Sequence, residues 1–569
     1  MTPSERVDSS RKITAAVDPA EGAAPRRAPE HRPEAIPAAL SRARQAQREW
    51  AARPIRNRVR ALRPLRRFLV DQADRIAAVI ARDTGKTRVE ALATEVMPAL
   101  MTLGYACRKA PRFLRPRPQL PGTLLLWHKW SRIVRVPYGV VAVISPWNYP
   151  FAIPFAEIVP ALLAGNAVLF KGAGQTPRAA AVLDECLASA ALPQGLFTRF
   201  ELPGAVAGPA FLAAGIDKLF FTGSVAVGRE LMQQAAATLT PVSLELGGND
   251  AMLVAPDADL DRAARGALWG GLQNCGQSCA GVERIYVHRD VYEPFLERLK
   301  NLVERLRVGP DRAFDVDLGA LTTLEQKQTV SRHVDDALAR GARLFARSPR
   351  PQTQPQPQQQ PQMQPSELES ENGLFYPATV LTEVTEDMLV MREETFGPVL
   401  AVARVADMEE AVRRANDSQY GLTASVWSRN PDAAEQLGRR LQAGVITLND
   451  HLMSHGMPET PWGGFKHSGI GRTHGRIGFD EMTQPQVIVH DLLAWTKRDL
   501  WWHPYSEPLY RGLRGAIVVF YGAGLWERLG GLPPLARIFP RIFTNRWDSG
   551  GGGNWWRRRW SRQSPRRRP

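Results

Sequence analysis

Short apolar runs alternate with helix-like segments over residues 139–237, and this alternation restricts the possible folds more than any other feature of the chain. Each apolar run has five or six residues, the length of a buried strand, and each is followed by a glycine- or proline-containing loop. The strands are predicted at 140–145, 167–171 and 218–222, and the helices that follow the last two at 179–190 and 225–237. Repeats of strand and helix predict an α/β fold with a parallel sheet.

The longest uncharged stretch, residues 136–156, is long enough to cross a bilayer. It contains four prolines, at positions 137, 146, 150 and 154. Because a proline inside a helix costs about 3 kcal/mol, we predict a strand that ends in a proline-bounded loop rather than a membrane helix.

The positive charge of the chain, +16 in total, is concentrated at its two ends. Residues 1–70 contain 16 Lys and Arg against 7 Asp and Glu, and residues 551–569 contain 7 Arg and no acid. These segments account for the whole excess, so the body between them is neutral. Since nucleic-acid binding needs a basic folded surface, this distribution argues against DNA or RNA as a partner.

The four cysteines form neither a disulfide framework nor a metal site. Four cysteines in 569 residues lack the dense pairing of small secreted domains, and no further Cys or His has ligand spacing. We therefore expect no metal and a reducing compartment. The first thirty residues also lack the apolar stretch of a secretory signal, so the cytoplasm is the expected location.

The length of the chain, 569 residues, suits two or three domains, and changes in composition mark several segments along it. Residues 1–35 are rich in Ala, Pro, Arg and Glu and are predicted to form a disordered arm. Residues 37–109 have the spacing of amphipathic helices, and residues 120–138 are predicted to form a β-hairpin. Residues 349–365 contain 14 Pro or Gln, which indicates a low-complexity surface insertion. Beyond residue 490 the chain becomes rich in aromatic residues and arginine.

Two motifs follow predicted strands and could bind a ligand. In PWNYP, the amide of Asn148 could donate to a developing oxyanion, although an Asn in a loop more often serves only the turn. In KLFFTGSVAVGRE, Gly223 opens a helix whose free N–H groups suit a phosphate-bearing ligand. A glycine turn that merely starts a structural helix is the alternative there.

Two further motifs carry groups that could react. In LELGGND, Leu244 and Leu246 would desolvate Glu245 and raise its pKa towards that of a general base, unless the side chain faces solvent. In NCGQSCAG, Cys279 is flanked by small residues. If it is exposed near a positive helix end, it can be held as a thiolate and attack a carbonyl, whereas a buried cysteine is more often inert.

These motifs occur in the order found in aldehyde dehydrogenases, and over residues 36–490 the chain resembles that superfamily. The matching segments are PWNYP, FTGS, LELGGND, GQSC, EETFGPV (393–399), NDSQYGL (416–422) and PWGGFKHSGIGR (461–472). Seven motifs in family order make a chance agreement negligible.

The resemblance implies a reaction and its residues. Cys279 would be the nucleophile that forms a thiohemiacetal with an aldehyde, and the Asn148 side chain and the Cys279 N–H would hold the oxyanion. Hydride transfer to the nicotinamide would leave a thioester, which water activated by Glu245 would hydrolyse to the carboxylic acid.

The resemblance also implies NAD as the cofactor. Glu394 and Phe396 match the pair that positions the nicotinamide ribose. In many NAD-preferring relatives a Glu stands three residues after the lysine that matches Lys171, whereas this chain has Gly174. Without that carboxylate NADP loses a repulsive contact, so NADP is a second candidate. The residues implied on the adenosine and pyrophosphate side are Trp147, Lys171, Gly223, Ser224, Val227 and Gly228.

The family fold implies an α/β cofactor-binding domain, an α/β catalytic domain and a small β extension for oligomerisation. The cofactor-binding domain would comprise residues 36–119 and 139–247, and the catalytic domain residues 248–480. Residues 120–138 and 481–491 would form the oligomerisation extension, which implies a homodimer or homotetramer. Residues 492–569 would be an additional aromatic, Arg-rich C-terminal extension.

Several alternatives remain open at this level. The C-terminal extension either lies at a membrane interface, which would favour a lipophilic aldehyde and a peripheral membrane location, or packs over the enzyme body. A CoA-acylating semialdehyde dehydrogenase and a non-catalytic scaffold are the competing functions. Enzymes of the first kind typically lack the base that Glu245 supplies, and a scaffold would be expected to have lost Cys279, Glu245 or Asn148.

The aldehyde itself is not identified by the sequence. Three loops are predicted to shape its tunnel, at 103–107, 269–275 and 449–459. His451 and His455 lie in the last loop and are interpreted as ordinary loop residues rather than proton-transfer groups.

Overall fold

The first sheet along the chain has six strands, three of which are short apolar runs buried along their whole length. In the computed structural model, which describes residues 32–349 and 373–544, its order is β15-β7-β6-β3-β4-β5. Every neighbouring pair is parallel except β15 with β7. The strands are β3 (Val140–Ile144), β4 (Ala167–Lys171), β5 (Phe197–Phe200), β6 (Lys218–Thr222), β7 (Val242–Glu245) and β15 (Gly469–Ile470). The predicted parallel α/β sheet is confirmed.

A seven-stranded sheet follows, in the order β10-β11-β12-β9-β8-β13-β14. Only the pairing of β10 with β11 is antiparallel. Its strands are β8 (Asp250–Val254), β9 (Val282–His288), β10 (Arg343–Arg347), β11 (Thr379–Thr382), β12 (Val399–Val405), β13 (Thr423–Trp427) and β14 (Val445–Leu448). Each of the two sheets has its own buried apolar core.

Helices cover both sheets, and several begin where the sequence provides a cap. Pro177 stands in the first turn of its helix, two residues before the predicted start, because proline tolerates that position. Ser224 caps the next predicted helix, its Oγ accepting from Val227 N. The helices before residue 340 are α1 (Ile36–Ala52), α2 (Ile55–Ala61), α3 (Arg63–Asp71), α4 (Ala73–Thr84), α5 (Arg88–Ala91), α6 (Met97–Phe113), α7 (Ala152–Ala164), α8 (Pro177–Ala188), α9 (Gly204–Ala214), α10 (Val225–Ala236), α11 (Leu260–Leu272), α12 (Tyr292–Val303) and α13 (Leu324–Ala339).

Seven further helices lie within residues 373–544. They are α14 (Leu389–Arg392), α15 (Met408–Asn416), α16 (Pro431–Gly438), α17 (Gly475–Glu481), α18 (Glu507–Tyr521), α19 (Leu525–Gly530) and α20 (Leu532–Ile538). Pro33–Ala35 form a 3₁₀ turn before α1, so the predicted arm is too long at its end. The rest of that arm (1–31), the Pro/Gln-rich segment from residue 350 and the residues after 544 lie outside the described residues.

The chain divides into two compact units. Residues 1–114 and 136–484 belong to the first, which contains both large sheets, and residues 115–135 and 485–569 belong to the second. A third sheet, in the order β1-β2-β16, consists of β1 (Arg117–Gln119), β2 (Lys129–Pro137) and β16 (Thr483–Asp491). The hairpin predicted at 120–138 is therefore misplaced at its start. Its Leu-rich segment, Leu124–Leu126, is a 3₁₀ turn because the Thr123 hydroxyl caps Leu125 N.

The second unit ends in three helices that pack through glycines. A Cβ on Gly515 of α18 would come within 2.6 Å of the Gly531 carbonyl oxygen, and a Cβ on Gly512 within 2.5 Å of Ile538 of α20. The helices can approach this closely only because their facing positions lack side chains. Many of their large apolar side chains are exposed, as are two in the 3₁₀ helix that follows: Tyr510, Ile517, Tyr521, Leu525, Trp526, Leu529 and Leu532, then Phe539 and Phe543. Among the described residues, no helix is both long and apolar enough to cross a membrane.

Candidate active site

The carboxyl edge of the six-stranded sheet gathers most of the residues implied by the motifs. In register, Ile144 of β3 lies beside Lys171 of β4 and Phe221 of β6, and Thr222 lies beside Glu245 of β7. The loops that continue from these strand ends carry Trp147 and Asn148, and Gly223 and Ser224. Ligands of open α/β sheets bind at this edge of the strands.

The amino edge of the seven-stranded sheet provides the cysteine. β9 begins three residues after Cys279, and β12 begins three residues after Phe396. The carbonyl oxygen of Cys279 lies close to Gly248, where a Cβ would come within 2.5 Å of it. Cys279 and Glu245 line one cavity of about 380 Å³, together with Glu157, His455 and His474.

Glu245 is the last residue of β7 and is only 8% exposed. Its Oε2 has no hydrogen-bond partner among the described residues. Burial raises the pKa of Glu245 well above its usual range, the Glu157 carboxylate raises it further, and Arg472 opposes the shift. The sequence-based expectation of a desolvated carboxyl with a raised pKa is confirmed, and a raised pKa is the direction of shift that a general base requires.

The environment of Cys279 differs from the sequence-based expectation. Cys279 lies in a turn between a 3₁₀ helix (Gln273–Gly276) and β9, not at the start of a helix. Burial raises the pKa of its thiol, and the carboxyls of Glu394, Asp250 and Glu245 raise it further. The expectation of an environment that itself holds the thiolate is therefore wrong: without a positive charge beside it, the sulfur stays protonated.

A second and larger cavity, of about 760 Å³, also reaches Cys279. Its lining contains no Lys, Arg, Asp or Glu. The lining side chains are mainly apolar or aromatic, with Met97, Met101, Trp269 and Met453 partly exposed. Two of the three predicted tunnel loops contribute, through Trp269 and Gln273 and through Leu452, Met453, His455 and Gly456.

The third predicted tunnel segment, residues 103–107, is wrong for this cavity. The lining comes instead from the residues just before it, between Ala93 and Met101. Leu103 is buried in the core of the first sheet, while Tyr105 and Ala106 line a neighbouring cavity of about 360 Å³. The reason for Leu103 is helical geometry. Residues 97–113 form the single helix α6, and Leu103, six positions after Met97, points to another face of that helix.

Asn148 is held by a buried ion pair. Lys86 Nζ bonds Glu95 Oε1 at 2.8 Å, with both side chains fully buried, and donates at 2.8 Å to the Asn148 carbonyl. The other oxygen of Glu95 accepts from Phe151 N and Ala152 N at the start of α7. The Asn148 Nδ2 donates at 3.1 Å to the carbonyl of Gln277, two residues before Cys279. The side-chain amide therefore points to the loop that carries the sulfur.

The loop before Cys279 is strained and fixed. Asn274, Cys275 and Gly276 have φ of 57°, 55° and 72°, a left-handed run that is costly for residues with a Cβ. Asn274 N donates to Glu90 Oε1 at 2.8 Å, and Asn274 Nδ2 donates to the Asn148 carbonyl at 3.0 Å. A Cβ on Gly276 would come within 2.1 Å of the Gly397 carbonyl oxygen. The surroundings thus impose one conformation on the loop.

Lys171 stands at the end of β4 with an unusual lack of partners. Within the described part of the chain, no group accepts a hydrogen bond from its Nζ, and burial lowers its pKa to about 8. A Cβ on Gly204, at the start of α9, would lie 3.7 Å from this nitrogen. No atom would lie within 4 Å of a Cβ on Gly174. An ammonium and a helix start beside open space suit an anion.

The start of α10 separates two groups of predicted cofactor residues. Ser224 and Val227 are exposed in its first turn. Gly228 is buried on the opposite face, where a Cβ would come within 2.7 Å of Leu246 Cδ2. Gly228 therefore lets α10 pack on the sheet, and direct contact with a ligand is left to its neighbours.

Glu394 and Phe396 lie on a loop that a buried carboxylate organises. Glu283 accepts from Thr395 N at 2.9 Å and from Phe396 N at 2.7 Å, which allows Phe396 its positive φ of 52°. Glu394 Oε1 accepts from Gly248 N at 3.1 Å. The Phe396 ring meets Trp147 edge to face at 5.5 Å. Residues from both sheets therefore converge here.

Three histidines lie near the two cavities in neutral form. His451 Nε2 bonds the Ala280 carbonyl at 2.8 Å, His455 lines both cavities, and His474 lines the smaller one. Burial lowers the pKa of His451 and of His455 to about 4, and that of His474 to about 3. The sequence did not indicate that His455 faces both cavities.

Glu157 was not predicted as a site residue, although the sequence contains an indication that it is unusual. It is the only charged residue of α7, in the segment AIPFAEIVPALLA. A single acid in an apolar helix that is buried nearly all round requires an explanation. Lys86, Glu90 and Glu95 were missed as well, and no local pattern distinguishes them from surface charges.

The geometry can now be compared with known proteins. The family model described as "Aldehyde dehydrogenase family" matches residues 6–488. The chain belongs to the aldehyde dehydrogenase family. A relative from Methylomonas sp., named 4,4'-diapolycopene aldehyde oxidase, is 39% identical over 508 residues, which cover 89% of this chain and 91% of the relative.

Other relatives of this aldehyde dehydrogenase carry different names. A putative succinate-semialdehyde dehydrogenase [NADP(+)] 2 from Mycobacterium ulcerans is 38% identical over 454 residues, covering 79% of this chain and 83% of the relative. Among solved structures, the NAD+ complex of the aldehyde dehydrogenase from Bacillus cereus matches with a TM-score of 0.77 and 29% identity, covering 84% of this chain and 93% of that one.

Proposed function

We propose that this protein oxidises an aldehyde to the carboxylic acid through a thioester on Cys279, which is hydrolysed by water that Glu245 activates. The observation that carries the proposal is the position of Cys279, whose side chain lines both cavities. One cavity offers an apolar channel for an aldehyde. The other offers Glu245 Oε2, a buried acceptor without a partner.

In this mechanism the Cys279 thiol gives its proton to water, which passes it to solvent, as the sulfur adds to the aldehyde carbonyl. Asn148 Nδ2 and the Cys279 N–H are the proposed donors to the oxyanion, and the Lys86–Glu95 pair holds the Asn148 backbone in position. Loss of hydride leaves the acyl group on sulfur. Glu245 then removes a proton from water as the oxygen adds to the thioester carbonyl and the C–S bond breaks.

The residues of the carboxyl edge fit a nicotinamide dinucleotide. When bound, NAD(P)⁺ supplies the hydride acceptor and a positively charged ring. Trp147, Lys171, Gly223, Ser224 and Val227 would bind its adenosine and pyrophosphate, and Glu394 and Phe396 its nicotinamide ribose. The fit is supported by Lys171, a buried ammonium without a partner.

We propose NAD⁺ as the cofactor with NADP⁺ accommodated as well. The supporting observation is the open space at Gly174 beside Lys171, since no carboxylate stands there to repel a 2′-phosphate. Relatives bearing both kinds of name are consistent with this: an NADP-named succinate-semialdehyde dehydrogenase and an NAD⁺ complex.

We propose an apolar, medium- to long-chain aldehyde as the substrate. The 760 Å³ cavity has no cationic side chain to pair with the carboxylate of succinate semialdehyde, and methionine and tryptophan side chains line much of it. The Methylomonas relative named for diapolycopene aldehyde supports this class. Succinate semialdehyde is the second candidate, favoured only by the names of relatives.

A homo-oligomer would cover the exposed β16. Val487, Ile488 and Val489 of this edge strand are all exposed, an arrangement that invites pairing with another chain. A second copy of the protein is the occupant we propose, as a dimer or tetramer.

The exposed apolar face of α18–α20 is proposed to contact anionic lipid. Trp526 is 84% exposed, and Arg511, Arg514, Arg528 and Arg537 lie in the same helices against two acids, Glu527 and Glu507. Aromatic side chains beside arginines are typical of interfacial helices.

Vesicle binding tests this contact. The enzyme should sediment with vesicles of phosphatidylcholine that contain one-third phosphatidylserine, and the double variant Trp526→Ser, Leu525→Ser should not. Equal pelleting of the double variant would refute the contact.

Rapid mixing of enzyme, cofactor and decanal tests the thioester mechanism. In Glu245→Gln, absorbance should rise by one reduced cofactor per site and then continue about 10²–10⁴-fold more slowly than in the wild type. The control is Glu230→Gln, an exposed acid of α10, which should behave as wild type. If added CoA restores rapid turnover after the burst, the protein is an acylating enzyme instead. If the wild type forms no reduced cofactor from any aldehyde, the scaffold hypothesis is supported.

A further inference from the structure

Glu157 is a buried carboxyl that the proposed mechanism does not yet use. It lies on α7, is only 3% exposed, and is surrounded along the helix by apolar residues. Its Oε2 has no hydrogen-bond partner in the described part of the chain. A carboxyl group is rarely left in this state, because an unpaired buried charge is costly.

The nearest cation is already engaged. Lys218 of β6 donates at 2.5 Å to the Glu481 carboxylate and at 2.9 Å to the Glu481 carbonyl. Lys218 therefore acts on Glu157 only through its more distant charge. Burial outweighs that attraction and raises the pKa of Glu157 to about 8.

Glu157 and Glu245 face the same cavity as Cys279. The charged groups that act on the pair are Lys218, Arg472 and Glu481, and the two histidines of the cavity, His455 and His474, are neutral. Two carboxyls in one desolvated space repel when both are ionised, so their protons leave in two separated steps.

We propose that Glu157 and Glu245 share a single proton near neutral pH, and that Glu157 thereby controls the pH at which Glu245 can accept a proton from water. The inference rests on the proposed function, since it assigns Glu157 as a positioning residue for that step. In the hydrolytic step, water gives its proton to Glu245, its oxygen bonds the acyl carbon, and the sulfur leaves as thiolate. The pair then holds two protons and releases one to solvent.

The pH dependence of hydrolysis tests this inference. The burst of reduced cofactor reports acylation and the steady rate reports hydrolysis, so both are recorded between pH 5 and pH 10 in the wild type, Glu157→Gln and Glu157→Asp. Removing the neighbouring negative charge should make Glu245 less basic. The acid limb of the steady rate in Glu157→Gln should therefore move to lower pH by about one unit, while the burst amplitude stays at one per site. Glu157→Asp should keep the wild-type midpoint.

A lower rate in Glu157→Gln with an unmoved midpoint would overturn the inference, because a purely structural role changes rate without changing titration. Failure of the proposed function is distinguishable, since it would remove the formation of reduced cofactor from the aldehyde in the wild type too. If Glu157→Gln does not fold, the inference can still be tested by infrared titration of the carboxyl groups in the wild type. A protonated-carboxyl band that persists at neutral pH and is altered in Glu245→Gln is expected, and its absence contradicts a shared proton.

Discussion

Two cavities meet at Cys279, and their linings differ in kind. The larger is lined by no Lys, Arg, Asp or Glu, and its one histidine, His455, is neutral, whereas the smaller contains Glu157 and Glu245 with unpartnered oxygens. Ile153, Cys279, His455 and Trp462 border both. Under the proposed function this difference would separate two tasks: the larger cavity would select a substrate by apolar contact, and the smaller one would handle water and protons.

The largest expected effect comes from replacing Cys279, which lines both cavities. Cys279→Ala should lower kcat/KM by at least about 10⁴-fold, because it removes the nucleophile. The measurement is reduced-cofactor formation with decanal. Cys275→Ala, four residues earlier in the same loop, is the matched control and should stay within about tenfold of wild type. Comparable losses in both variants would mean that loop integrity, not the Cys279 sulfur, accounts for the activity.

The dependence of kcat/KM on aldehyde chain length should report on the larger cavity alone. Each buried CH₂ contributes about 0.8 kcal/mol, so kcat/KM should rise up to about fourfold per CH₂ from butanal to decanal. Succinate semialdehyde, the carboxylate counterpart of butanal, should lie about 10²–10³-fold below butanal, because its charge would be desolvated without a partner.

Met101→Arg should narrow that gap about tenfold by placing a cation at the cavity, with Met101→Leu as the control. A wild type that prefers succinate semialdehyde to butanal would refute the assignment of an apolar substrate.

The smallest effect concerns the cofactor and leaves both cavities unchanged. Gly174→Glu should lower kcat/KM with NADP⁺ by about tenfold or more and affect NAD⁺ little, because the new carboxylate would repel a 2′-phosphate. The space around Gly174 admits the side chain. Gly174→Gln has the same size without the charge and should leave both cofactors nearly unaffected. Equal losses with both would show that this loop does not contact the 2′ position.

The sequence predicted the sheet well and the site's electrostatics poorly, for physical reasons. The strands Ala167–Lys171 and Lys218–Thr222 coincide with their predicted bounds because short apolar runs bounded by a lysine and a turn leave little choice of limits. The site residues follow such strands, so their convergence at one edge could be expected from topology.

The surroundings of Cys279 could not be expected in that way. Asp250 and Glu394 approach the thiol from β8 and from a loop more than a hundred residues away, and their effect on its pKa exists only in the folded chain. The misplaced hairpin has a local cause: three leucines suggest a strand, but the Thr123 cap turns them into a 3₁₀ helix. Glu157 lay between these cases, visible as a single charge in α7 but uninterpretable without its neighbours.

The raised pKa of the Cys279 thiol has a consequence for the lifetime of the enzyme. Peroxides and alkylating agents react with thiolates far faster than with thiols. Between turnovers, a sulfur that remains protonated is a poor target for both, so the resting protein should be inactivated slowly by either reagent. Burial of Cys279 and the carboxyls around it, which raise the pKa of its thiol, would thus also protect the sulfur.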